Sequence, residues 1–126
     1  AHPPPARIRI PFTFDAAQRD GDLATLHEEA AAAIRRGERL LLVGDFNVTP
    51  DEPGYRILAD SLRDLHTDAG LGPGWTWWPG FLEGSGLALV RIDMVLVGPG
   101  LDPVSVAVDC SLAGDHCRVT GRVAVR

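Results

Sequence analysis

No apolar run in this sequence approaches the roughly 18–20 residues of a membrane span. The longest candidates, LLLV at 40–43 and MVLV at 94–97, have the length of strands. The first residues lack a basic stretch followed by an apolar one, so they carry no secretory signal. Localisation is left unknown for what reads as a soluble domain, with a place outside the cytoplasm and a membrane anchor beyond these residues both open. A basic excess is also missing: 12 Lys and Arg stand against 17 Asp and Glu, for a net charge of −5. Electrostatic binding of nucleic acid normally shows a basic patch, so this balance lowers the odds for an enzyme acting on duplex DNA. It is compatible with a cation site that gathers carboxylates. Cysteine is scarce, with only Cys110 and Cys117, seven apart. That spacing fits no C-x₂₋₄-C zinc pair. Two separate free thiols are the commoner reading, because most free cysteines are small buried hydrophobes. A small-loop disulfide in an oxidising compartment is the alternative. No internal repeat and no domain boundary is visible.

What is present suits one globular domain. The chain has 126 residues, 45% of them hydrophobic and 23% charged, which excludes a disordered chain with too little apolar surface to offset its entropy. Residues 1–11 are Pro-rich and read as extended. Asp15 and Gln18 form a capping box, after which Leu23, Leu26, Ala30, Ala33 and Ile34 recur at helical spacing up to a terminating Gly37. RLLLV at 39–43 reads as a strand buried on both faces. A second helix takes Pro53 in its first turn and places Tyr55, Leu58, Ala59 and Leu62 on one face. The Gly-, Pro- and Trp-rich stretch at 70–86 is mostly loop, with a short strand at 75–78. RIDMVLV at 91–97, the alternating valines at 104–108 and the alternating run at 118–125 are further strands. The class is α/β or α+β with a mixed sheet.

Polar residues cluster where these strands end. Asp45 and Asn47 follow the first strand directly, Asp93 lies inside an apolar strand, and Asp115 and His116 precede the last one. Singly, Asp45 and Asn47 read equally well as turn formers, and His116 as a structural histidine. Asp93 is harder to dismiss, because a carboxylate inside an apolar strand is costly unless paired.

Together, LLVGDFNVTP, RIDMVLV and GDHCRV resemble the last three motifs of the endonuclease/exonuclease/phosphatase superfamily, the deoxyribonuclease I-like proteins. Order and spacing agree, as do Trp75, Thr76 and Trp77 before the R-I-D strand and Leu62, Arg63 and Asp64 after the second helix. The resemblance implies half of a four-layer α/β sandwich, with one mixed, mostly antiparallel sheet and its helices on one face. It implies that residues 1–126 are the C-terminal half of the domain. The family's N-terminal half brings a glutamate that holds the catalytic magnesium. Glu28, Glu29, Glu38, Glu52 and Glu83 do not match it. Two departures, Gly114 where serine is usual and Cys117 where arginine or proline is usual, alter the loop more than the chemistry.

By the same resemblance the activity is metal-dependent phosphoester hydrolysis, with water attacking phosphorus. Asp45 orients or deprotonates that water, and Asn47 donates a hydrogen bond to it or to the phosphate. Asp93 fixes the tautomer of His116 and favours its cationic form. His2 is a second donor or acid near the leaving group. Asp115 and Asp45 serve a Mg2+ (or Mn2+) site, since carboxylate and water oxygens suit a hard cation. The substrate is a phosphoester: nucleic acid, phosphoinositide or phospholipid. The alternative is a non-catalytic scaffold or a self-associating module of the same fold, in which a homodimer or the N-terminal half covers an exposed sheet face. The aromatic residues Trp75, Trp77, Trp78, Phe81 and Leu82 read as core packing or, less commonly, as a lipid- or base-stacking surface.

Overall fold

The computed structural model describes residues 16–78, 90–111 and 114–126. Its elements follow in the order α1 (Ala16–Arg35), β1 (Leu41–Asp45), α2 (Pro53–Ala59), β2 (Arg63–Asp64), α3 (Leu65–Ala69), β3 (Asp93–Val97), β4 (Leu101–Asp109) and β5 (Arg118–Val125). In α1 the stripe of Leu23, Leu26, Ala30 and Ala33 is buried, as its spacing predicts. The helix closes where Gly37 adopts φ +77°, a conformation without steric cost only for glycine. There the Gly37 N–H donates to the Ile34 carbonyl at 2.9 Å and the Glu38 N–H to that of Ala33 at 3.1 Å. Asp15 of the capping box lies outside the described residues.

β3 is the centre of an antiparallel sheet in the order β1-β3-β2. The register pairs Leu41 with Val97, Val43 with Val95 and Asp45 with Asp93. Alternation along the pleat sorts the side chains onto two faces. Leu42, Met94 and Leu96 meet Leu23, Leu26 and Leu58 of α1 and α2. Leu41, Val95 and Val97 meet Leu65 of α3 and Leu101, Val106, Val119 and Val123 of β4 and β5. Each buried leucine or valine contributes about 1.5–3 kcal/mol. Both expected helices therefore share one face, and the architecture is α/β with antiparallel sheets.

Three details differ from the sequence reading. The strands do not form one sheet: β4 and β5 make a separate two-stranded ribbon. β1 pairs with the whole of β3 and β2 with Leu96 and Val97 on its other edge, and the ribbon packs on the sheet's face through its valines. A third helix, α3, lies on that ribbon face, although five residues are too few to display a period. RLLLV is not buried on both faces, because Val43 is 50% exposed on β1, an edge strand.

One buried carboxylate ties these layers together. The Asp64 side chain accepts the N–H groups of His66 and Thr67 and so caps α3. Its other oxygen receives the Tyr55 hydroxyl at 2.8 Å and the Arg91 guanidinium at 2.8 Å. The ion pair is almost wholly buried, which a charge tolerates only when paired and hydrogen-bonded.

Candidate active site

The register of β1 against β3 decides the site. It sets Asp45, the last residue of one strand, beside Asp93, the first of the other. Both lie in the odd-numbered rows, on the face turned to the ribbon. After Phe46 the chain reverses through Asn47, whose φ of +51° is a left-handed value that asparagine tolerates better than most residues. That turn aims the Asn47 N–H at Asp45 Oδ1, 2.9 Å away. Arg19 of α1 anchors the same loop, donating to the Asn47 carbonyl and to Glu52, each at 3.0 Å. Among the described residues, the Asn47 side-chain amide bonds to none of the other candidates; its link to them is through its backbone.

The ribbon brings the histidine. His116 Nδ1 lies 2.8 Å from Asp93 Oδ2. A carboxylate accepts, so Nδ1 carries the proton and donates. Nε2 then faces Asp45 Oδ2 at 3.6 Å and Asp115 Oδ1 at 3.9 Å. The partner expected for Asp93 is thus His116. Burial alone would lower the ring's pKa, but the Asp93 hydrogen bond and the charges of Asp93, Asp45 and Asp115 outweigh it and raise the net value. Asp45 is also raised, first by burial. The Asp93 and Asp115 charges add to that effect, against the Asn47 N–H and His116. His2, the fifth catalytic candidate, lies outside the described residues, as do Phe81 and Leu82.

The donor chemistry of this cluster can be set against a divalent cation. Ligand atoms of Asp45, Asp93 and His116 lie within 4.8 Å of one another. The near oxygen of Asp93 is committed to the histidine. That leaves carboxylate oxygens of Asp45 and Asp115, flanking one ring nitrogen, for a hard ion. Magnesium is usually held by one or two carboxylates and keeps several waters; Asp45 suits that role, whereas Asp115 does not belong to the group of three that gathers here. Asp45 fits in a second respect, since a half-buried carboxylate disfavoured by its surroundings gains most from a neighbouring cation.

The family model described as Endonuclease/Exonuclease/phosphatase family matches residues 3–116. The chain belongs to this family. Solved structures agree on the fold. A mannosyl-6-phosphatase, Bt3783, from Bacteroides thetaiotaomicron VPI-5482 superposes with a TM-score of 0.70 at 20% identity, over 88% of this chain and 47% of that one. A conserved protein of unknown function from Enterococcus faecalis V583 gives 0.73 at 21% identity, over 95% and 49%. An endonuclease/exonuclease/phosphatase family protein from Bacteroides thetaiotaomicron gives 0.70 at 20%, over 87% and 46%. The chain thus spans about half the length of the solved structures it matches. No curated protein matches it by sequence at a significant level.

Sequence reasoning reads the W-T-W cluster as core packing or a stacking surface and not as a neighbour of the catalytic candidates, yet the Trp77 indole N–H donates to Asp115 Oδ2 at 3.3 Å. Trp78 is buried at 2% exposure and Trp75 is 48% exposed, so the cluster divides between core and surface. Arg19 was not legible at all, because nothing local in α1 marks a residue that reaches a loop 28 positions away.

The two cysteines are bonded to each other rather than free. Antiparallel pairing is the reason: Asp109 lies opposite Arg118, so the flanking Cys110 and Cys117 meet across the hairpin, with Cα atoms 4.2 Å apart. The closed loop carries both Asp115 and His116. Reducing this bond is expected to lower unfolding free energy by about 2–3 kcal/mol, the entropy of so short a loop. Urea denaturation with and without dithiothreitol checks it, and an unchanged midpoint contradicts it.

Proposed function

We propose that this protein is a metal-dependent phosphoester hydrolase in which water attacks phosphorus. We further propose that residues 1–126 form the C-terminal half of its domain, the other half covering the face that leaves Val43 exposed. The observation that carries the reading is the convergence of three carboxylates on His116, with Asp93 at 2.8 Å, Asp45 at 3.6 Å and Asp115 at 3.9 Å. A stable core does not need such a cluster, since three carboxylates around one histidine leave a surplus of negative charge that repels itself.

The positions of the described residues support the roles that the family resemblance implies. Asp93 holds His116 as an Nδ1 donor and favours its cationic form, so Nε2 also carries a proton, on the side where Asp45 and Asp115 converge. There it can donate to a phosphate oxygen as charge develops on it. Asp45 keeps one oxygen on the Asn47 N–H, and the other, which faces His116 Nε2 at 3.6 Å, is the one to orient a water or take its proton. The left-handed turn at Asn47 holds that residue beside Asp45, where its amide can donate to the water or to the phosphate. Asp45 and Asp115 would hold Mg2+ or Mn2+, which when bound neutralises charge on the non-bridging oxygens. His2 would supply a further donor near the leaving oxygen.

The test is turnover of a panel of phosphomonoesters and phosphodiesters by the full-length protein, with Mg2+ and with a chelator. Turnover abolished by the chelator and restored by Mg2+ is expected. A stable, folded protein that hydrolyses none of the panel with Mg2+ or Mn2+ overturns the reading. The 126-residue chain alone is expected to bind Mg2+ weakly, because it offers no residue matching the family's N-terminal glutamate. Calorimetry on this chain and on the full-length protein checks that; equally tight binding by both means the ion is held elsewhere.

A further inference from the structure

Asp93 and His116 are 23 residues apart and belong to different layers. Asp93 opens β3 in the three-stranded sheet, whereas His116 precedes β5 of the ribbon, and no strand ladder joins the two sheets. Something else must set their 2.8 Å separation. Isolated bridges from Trp77 to Val90 and to His116 show where the connection runs. At its centre is Thr76, fully buried at 0% exposure. Its hydroxyl oxygen accepts the N–H groups of both Ile92 and Asp93, each at 3.1 Å. Its own N–H donates to the Val90 carbonyl at 2.8 Å, and its carbonyl accepts the Cys117 N–H at 2.6 Å. One residue thus grips the backbone of Asp93 from one side and the residue next to His116 from the other.

We propose that Thr76 is a positioning residue that sets the distance between Asp93 and His116, an inference that rests on the hydrolase reading. Two backbone donors converge on one hydroxyl oxygen, using both of its lone pairs. Valine has the same shape and lacks the acceptor. It leaves two buried N–H groups unsatisfied, and the start of β3 moves to find other partners. A displacement of about 1 Å at a reacting centre costs roughly 10²-fold in rate.

The experiment compares Thr76→Val and Thr76→Ser in the full-length protein. Folding is checked by circular dichroism, the His116 tautomer by NMR of 15N-labelled histidine at a pH high enough for the ring to be neutral, and kcat and KM on the best phosphoester of the panel. Wild type is expected to show His116 protonated at Nδ1. Thr76→Val loses that signature and about 10²-fold in kcat, with KM little changed. Thr76→Ser, which keeps the acceptor, restores both. A folded Thr76→Val with the wild-type tautomer and kcat overturns the proposal, and so does a folded Thr76→Ser as impaired as valine or a wild type lacking the Nδ1 proton. If Thr76→Val does not fold, the serine variant decides: wild-type tautomer supports the proposal, its loss overturns it. If the tautomer responds as expected but no phosphoester is turned over, the positioning role stands and the hydrolase reading falls.

Discussion

Asparagine in place of Asp45 is expected to lower kcat for phosphoester hydrolysis by about 10²–10⁴-fold, the usual contribution of a positioned proton acceptor. The substitution keeps the shape of the side chain and an oxygen for the Asn47 N–H. It removes the negative charge facing His116 Nε2 at 3.6 Å and the capacity to take a proton from water. With Mg2+ saturating, so that weaker hold on the ion does not contribute, the group acts on the water rather than on substrate binding, and the loss falls on kcat with KM little changed. Stability is expected to hold, since replacing a carboxylate that burial already disfavours in its charged form removes no favourable packing. Steady-state kinetics with a thermal melt checks both parts. A melt like wild type with a loss below about tenfold in kcat means Asp45 does not handle the water.

His116→Ala is the second large effect, expected at about 10²–10³-fold, the worth of one donor aimed at charge that develops in the transition state. Its two nitrogens distinguish this role from mere packing. Nδ1 is occupied by Asp93, so only Nε2 is available to a substrate. Asp93→Asn is therefore expected to act in the same direction and less strongly. The ring stays, but an amide enforces neither its tautomer nor its charge. Kinetics on both variants measure the order. A larger loss from Asp93→Asn than from His116→Ala would assign the chemistry to Asp93 itself and the supporting part to the histidine.

Much of this was legible from local signals. The stripe in α1, the glycine that ends it, and the β5 boundaries at Arg118 and Val125 follow from periodicity and turn chemistry, which need no knowledge of the rest of the chain. Asp93 announced itself as a charge in an apolar run that must find a partner, although it opens β3 rather than lying inside it. The partner's identity was not a local property. It came from the family pattern, because 23 intervening residues and a change of sheet separate the two. The same limit explains the rest. Whether 104–108 and 118–125 extend the first sheet or form their own ribbon depends on whether β3 has a free edge. That edge is taken at Leu96 and Val97 by β2, two residues with no period of their own. The disulfide depended on the register of the hairpin that joins its halves, which spacing alone does not reveal. Asp64 stands in the sequence only as part of the L-R-D segment after the second helix, and its cap on α3 is not legible there. Nor is its burial with Arg91 and Tyr55.

The central claim is that water held at Asp45 attacks phosphorus, and oxygen tracing tests it most directly. The full-length protein is to turn over its best phosphoester in water enriched in oxygen-18, with Mg2+ present, and the products are to be weighed by mass spectrometry. The account predicts one heavy oxygen in the phosphate-bearing product and none in the released alcohol, with the Asp45→Asn variant forming that product far more slowly. Heavy oxygen in the alcohol, or in neither product, would mean that a carbon–oxygen bond breaks or that another group attacks, and would contradict it.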